Sequence, residues 1–147
     1  MEKKSILIVD DDKSLLTSLA QILTNEGYQV DTADTGQEAI EKSKTQFYQL
    51  ALLDIKLPDI EGTQLLTAMK DTTPKMVKII ITGYPSLDNA VEAVNKDADG
   101  YVIKPIDINT LLDAIKKQLK QQDENRKYSE EKVRDFVETR AKELGSL

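Results

Sequence analysis

Five short runs rich in apolar and β-branched residues, each followed by a stretch of helical periodicity, constrain this chain more than any other feature. Ile6 to Val9, Tyr28 to Thr32, Leu50 to Leu53, Val77 to Ile81 and Tyr101 to Ile103 read as strands. Residues 14–26 read as a helix, with Leu15, Leu16, Leu19, Ile22 and Leu23 on one side and Gly27 as its stop. Thr35-Gly36-Gln37-Glu38 matches a capping box and opens a helix to about Thr45. Further helices are predicted over about 63–71, from a Ser86 cap to about Asn95, and from an Asp107 cap onward with Leu111, Leu112, Ile115 and Leu119 on the buried side. Five such repeats imply an α/β fold, a doubly wound parallel sheet with helices on both faces. Nearly continuous apolar strands agree, because parallel strands are buried on both sides. With two Phe and no Trp the core must be mainly aliphatic, and 147 residues suffice for one domain and a short extension.

In open parallel sheets, ligands bind beyond the carboxyl ends of the strands. Asp10 and Asp11 follow the first strand, Asp54 ends the third, Thr82 the fourth and Lys104 the fifth, so these five should converge. Three carboxylates in one cleft raise one another's pKa and strain the fold unless a cation joins them. The chain has no Cys and no His, which leaves hard oxygen donors and favours magnesium. Lys104 adds a fixed positive charge and Thr82 a hydroxyl. Together they suit a dianionic phosphoryl group, whose transfer needs little beyond electrostatic stabilisation. Asp54 is the candidate nucleophile, because it stands alone at the central strand's end whereas Asp10 and Asp11 are paired. Asp12 is assigned to the start of the first helix, near the rim.

The missing histidine also means that the chain cannot be its own phosphohistidine donor. A net charge of −6 argues against direct nucleic-acid binding. No apolar run approaches the roughly 20 residues that span a bilayer, and no signal peptide is visible, so the expected location is cytoplasmic and away from membranes.

The segments ILIVDDD, LALLDIKLPDIEG, IIITGY and GYVIKPI, in this order over residues 1 to about 121, resemble the response-regulator receiver domain of two-component signalling, the family of the chemotaxis protein CheY. The resemblance implies a flavodoxin-like sheet of order 2-1-3-4-5. It implies that Asp54 accepts a phosphoryl group from a histidine kinase or phosphotransfer protein, and that the domain catalyses its own phosphorylation and slow hydrolysis rather than acting as a metabolic enzyme. It implies Mg2+ held by Asp10, Asp11, Asp54 and the backbone carbonyl of Lys56, with Asp11 direct and Asp10 acting largely through water. Thr82 then matches the hydroxyl that reaches for the phosphoryl group, Lys104 the pairing ammonium, Pro105 a cis proline that aims the lysine, and Tyr101 an aromatic that swings inward on activation. Lys56 and Tyr84 occupy positions that tune dephosphorylation. The output surface for a downstream protein would be the fourth helix, fifth strand and fifth helix, about residues 84–95 and 99–119.

Residues 122–147 exceed what that domain needs. QQDENRK reads as an exposed stretch, and SEEKVRDFVETRAKEL as a short helix with Val133, Phe136, Val137, Ala141 and Leu144 on one side. It is expected to pack on the domain, pair with a second copy as a homodimer, or run on into further chain. Polar residues at the core positions of 119–133 weaken a coiled coil. TGYPSLDNAVEAV is similar to receivers attached to transcription activators. Two rival readings use the same residues. A Mg2+-dependent phosphatase resembling haloacid dehalogenases would make Asp10 the nucleophile, with Asp12 and Ser14 completing a loose D-x-D motif. A nucleotide or flavin binder would need a phosphate loop where three aspartates stand.

Overall fold

The computed structural model describes residues 3–69, 75–83 and 98–145. The strands are β1 (Ser5–Val9), β2 (Gln29–Ala33), β3 (Leu50–Asp54), β4 (Val77–Thr82) and β5 (Gly100–Ile103). They form one parallel sheet in the order β2-β1-β3-β4-β5. Between them lie α1 (Lys13–Asn25), α2 (Gly36–Thr45) and α3 (Gly62–Ala68), and a C-terminal helix runs from Ile108 to Gly145. The helix expected over 86–95, with Tyr84, lies outside the described residues.

Strand side chains alternate between two cores, as a period of two requires. Ile6, Ile8, Leu50, Leu52, Ile79 and Ile81 pack with Leu16, Leu19 and Leu23 of α1 and Leu111, Ile115 and Leu119 of the C-terminal helix. Leu7, Val9, Ala51, Leu53 and Ile80 pack with Ala39 of α2 and Leu65 and Leu66 of α3. Each fully buried Val, Leu or Ile among them contributes about 1.5–3 kcal/mol. The two cores therefore fix the strands rigidly, and with them the residues at the strand ends.

Local chemistry sets the helix ends. The Asp12 carboxylate accepts from the Leu15 amide at 3.2 Å and starts α1. Gly27, at φ +99°, ends it in a conformation that L side chains rarely adopt. The Thr35 hydroxyl caps α2 by accepting from the Glu38 amide at 3.1 Å, while the Glu38 carboxylate accepts from the Asp34 amide at 3.4 Å, one residue earlier than a standard capping box. Asp107 accepts from the Thr110 amide at 3.1 Å and starts the C-terminal helix.

The expected exposed stretch QQDENRK, residues 121–127, is part of that helix, which continues for 38 residues without a break. QQDENRK contains neither Gly nor Pro, so nothing in it stops a helix already nucleated on the sheet. Gln122 is also buried: its side-chain amide donates to the Gln49 carbonyl at 3.0 Å and the Lys75 carbonyl at 2.8 Å. Beyond it, residues 124–145 are all exposed. Among the described residues no helix is long and apolar enough to cross a membrane.

Candidate functional site

Strand register brings the site together. Val9 pairs with Leu53 across β1 and β3, so Asp10 follows β1 at the level of Asp54. Asp54 pairs with Ile81 across β3 and β4, which sets Thr82 one step beyond it. Thr82 pairs with Ile103, and its carbonyl accepts from the Lys104 amide at 2.8 Å. Asp10, Asp54 and Thr82 are buried, whereas Asp11 is exposed at the rim. Carboxylate oxygens of Asp10, Asp11 and Asp54 lie within 4.8 Å of one another.

Lys104 reaches across the sheet edge into this cluster. Its ammonium lies 2.8 Å from Asp10 Oδ2 and 3.5 Å from Asp54 Oδ2. The Lys104–Pro105 peptide is cis. Burial pushes the Lys104 pKa down, but the hydrogen-bonded Asp10 carboxylate and the Asp54 charge outweigh it and leave it raised. Burial raises the pKa of Asp54. The Lys56 amide, donating to Asp54 Oδ1 at 3.1 Å, and the Lys104 charge oppose that shift, while Asp10 reinforces it. The Lys104 ammonium thus pairs with two of the three clustered carboxylates, Asp10 and Asp54, and leaves negative charge in excess. A close set of oxygen donors with surplus negative charge fits a hard divalent cation.

The loop after β3 is closed by backbone bonds. The Gly62 amide donates to the Ile55 carbonyl at 2.7 Å, and Lys56 and Glu61 form an antiparallel bridge. A Cβ on Gly62 would stand 2.5 Å from Ile55 Cα and 2.6 Å from the Asp54 carbonyl oxygen, so no larger residue fits there. Lys56 is therefore held two residues beyond Asp54, beside the cluster. The Tyr101 ring packs on the core that includes Ile80, and its hydroxyl is buried with no hydrogen-bond partner among the described residues. Asp12 serves the helix start, which commits the second aspartate that a D-x-D phosphatase motif would use.

Two residues escaped the sequence reading. Lys78 is fully buried in β4, and its ammonium donates to the Leu66 carbonyl at 3.2 Å, near the C-terminal end of α3, where a helix dipole favours a cation. A lysine inside the run VKIII was the available signal. Asp59, in the loop after β3, accepts from the amides of Gly36 and Gln37 at 2.8 Å each. Nothing local in the sequence couples two segments that far apart.

The chain matches the family description "Response regulator receiver domain" over residues 6–116. It is 37% identical over 114 residues to the transcriptional regulatory protein ZraR of Escherichia coli, covering 78% of this chain and 26% of that protein. It is 32% identical over 136 residues to the transcriptional regulatory protein GlrR of the same organism, covering 92% of this chain and 30% of GlrR. The chain thus spans about a quarter to a third of the length of these relatives. Among solved structures, the CheY-like receiver domain protein of Methanospirillum hungatei is 48% identical with a TM-score of 0.82, covering 84% of this chain and 99% of that one. The beryllofluoride-activated NtrC4 receiver domain dimer is 38% identical with a TM-score of 0.75, covering 80% and 98%. A sheet of this order and a family match across most of its length lead to one assignment: the chain belongs to the response-regulator receiver domain family of two-component signalling.

Proposed function

We propose that this receiver takes a phosphoryl group onto Asp54 from the phosphohistidine of a partner kinase or phosphotransfer protein. The observation that carries this reading is the buried Asp54 carboxylate beside Asp10, with the Lys104 ammonium between them. An oxygen of Asp54 attacks phosphorus, the P–N bond to the partner's imidazole breaks, and that nitrogen takes up a proton. Asp10, Asp11, Asp54 and the Lys56 carbonyl would hold Mg2+, which neutralises charge on the transferring group when bound. Lys104 pairs with the phosphoryl oxygens and Thr82 donates its hydroxyl to them, while Pro105 aims Lys104. The domain catalyses its own phosphorylation and hydrolysis and is not a metabolic enzyme.

Phosphorylation adds charge and acceptor oxygens at Asp54. Drawing Thr82 toward them frees space for Tyr101, and the population shifts toward a second arrangement of residues 99–119, read by a downstream protein; the other part of the expected output surface, 84–95, lies outside the described residues. Residues 1–121 form the receiver unit and 122–147 a charged helical tail, with a cytoplasmic location. A homodimer is part of this reading. Val133, Val137 and Leu144 are exposed on the tail at spacings of a helical seam, and a similar solved receiver is a dimer.

Incubation with acetyl phosphate and Mg2+, followed by mass spectrometry, tests the assignment. A label on Asp54 that disappears in D54N is expected; a label on Asp10 would favour a phosphatase instead. A stable phosphoryl mimic should shift the amide spectra of residues 99–119, and unchanged spectra would refute the switch. Sedimentation of the full chain should show a mass that falls on V137D; a monomer at high concentration would refute the pairing.

A further inference from the structure

We propose that Asp59 is a positioning residue of the phosphorylation site: it clamps the loop after β3 onto the first turn of α2 and so holds Lys56 and Asp54 in register for the cation. This inference rests on the reading of Asp54 and Lys56 given above.

The backbone bonds that close the loop, Gly62 to Ile55 and Lys56 with Glu61, fix its shape. They do not fix where its tip stands relative to the rest of the sheet. Asp59 does, because its two carboxylate oxygens accept separately from two consecutive amides, Gly36 at 2.8 Å and Gln37 at 2.8 Å. Those amides are the first two of α2 and have no partner within the helix. The third, on Glu38, is taken by the Thr35 hydroxyl. The first turn of α2 is thus satisfied from two sources, one local and one more than twenty residues away in sequence.

Apolar packing marks the same contact. Ile60 lies so close that a Cβ on Gly36 would stand 1.9 Å from its Cγ2. Only glycine lets the tip of the loop rest directly on the helix. The two amides also hold the Asp59 carboxyl below the usual carboxylate range, as expected for a charge at a helix N-terminus.

Thr35 takes the Glu38 amide and Glu38 the Asp34 amide, so the two amides left over, on Gly36 and Gln37, are met from the loop after β3. Asp59 ties the helix to the segment that carries the phosphoacceptor at its start. Lys56 stands three residues before Asp59 and has its own amide on Asp54, so movement of the tip passes directly to the cation donors. Loss of a partner that orients a metal ligand costs about 10–100-fold in affinity.

The test uses the whole chain with D59A and D59N. Asn preserves the volume and one acceptor oxygen but loses the charge. Amide hydrogen exchange is measured first, without metal, and Mg2+ is then titrated while the amides of Asp54 and Lys56 are followed. In D59A, faster exchange at Gly62 and an apparent Mg2+ Kd about tenfold weaker are expected, with labelling by acetyl phosphate returning to the wild-type rate at saturating Mg2+. D59N should fall between, and it keeps the question decidable if D59A does not fold. A variant that melts earlier yet shows unchanged Gly62 exchange and unchanged Mg2+ affinity would overturn the proposal and leave Asp59 a helix cap. If the wild-type protein does not bind Mg2+, the reading of the metal site fails, and Gly62 exchange in the metal-free variants decides the clamp alone.

Discussion

Replacing Gly62 by alanine should damage stability and phosphorylation together. The new Cβ would stand 2.5 Å from Ile55 Cα and 2.6 Å from the Asp54 carbonyl oxygen. Carbon atoms pack comfortably at about 3.5–4.0 Å, so roughly 1 Å of space must be opened. Both obstructing atoms are backbone, and no rotamer change relieves the clash. Overpacking of this kind costs about 1–3 kcal/mol. Alanine returns about 1 kcal/mol at a helical position, and Gly62 has no positive φ to lose. The net expectation is a loss of up to about 2 kcal/mol in urea unfolding. The displaced atoms belong to Asp54 and its neighbour, and a 1 Å misplacement of a reacting group can cost about 100-fold in rate. Timed labelling with acetyl phosphate and Mg2+ should show a loss of that order. Gly27 provides the contrast: its Cβ position is open, but its φ of +99° makes G27A destabilising by strain alone, with labelling preserved. If G62A is as stable as the wild type and labels at the same rate, the close approach is not what glycine serves there.

Other perturbations follow from the same site. Because the Asp54 pKa is raised, the folded metal-free protein holds a proton that the unfolded chain releases; stability from this group falls as pH rises from 3.8 through the raised value. D54N should therefore stabilise the metal-free protein in urea at pH 7, with the advantage fading under acid conditions. Lys104 has the opposite consequence for K104M, since its raised pKa means that its stabilisation is present below 10.5 and lost as pH climbs through the folded value. K104M should lower the melting temperature of the metal-free protein at pH 7. Mg2+ at about 100 times its Kd should stabilise the wild type by about 2.7 kcal/mol, reversibly with EDTA; no shift in melting temperature would contradict the metal site. Q122A removes two buried hydrogen bonds, to Gln49 and Lys75, and should cost about 1–2 kcal/mol in urea unfolding.

What the sequence determined by itself was periodicity and position. The alternation of Ile6, Leu7, Ile8 and Val9 between two cores follows from a period of two, α1 and the first turns of the C-terminal helix follow from apolar spacing after Asp12 and Asp107, and α2 follows from the capping residue Thr35. Because parallel strands all point the same way, knowing where each strand ends was enough to gather Asp10, Asp54, Thr82 and Lys104 at one edge. These are local signals, written within a few residues of what they specify.

Only the tertiary structure decided the rest. The C-terminal helix runs through QQDENRK because Leu111, Ile115 and Leu119 nucleate it on the sheet and Gln122 finds two carbonyl acceptors from distant loops. A window of polar residues shows neither fact. Lys78 is tolerated in the core because the Leu66 carbonyl accepts from its ammonium, and Asp59 meets α2 because α2 and α3 pack in the same core on one face of the sheet. Such partners are set by strand order and register, which join residues far apart in the chain, and their hydrogen bonds leave no periodic trace in the sequence.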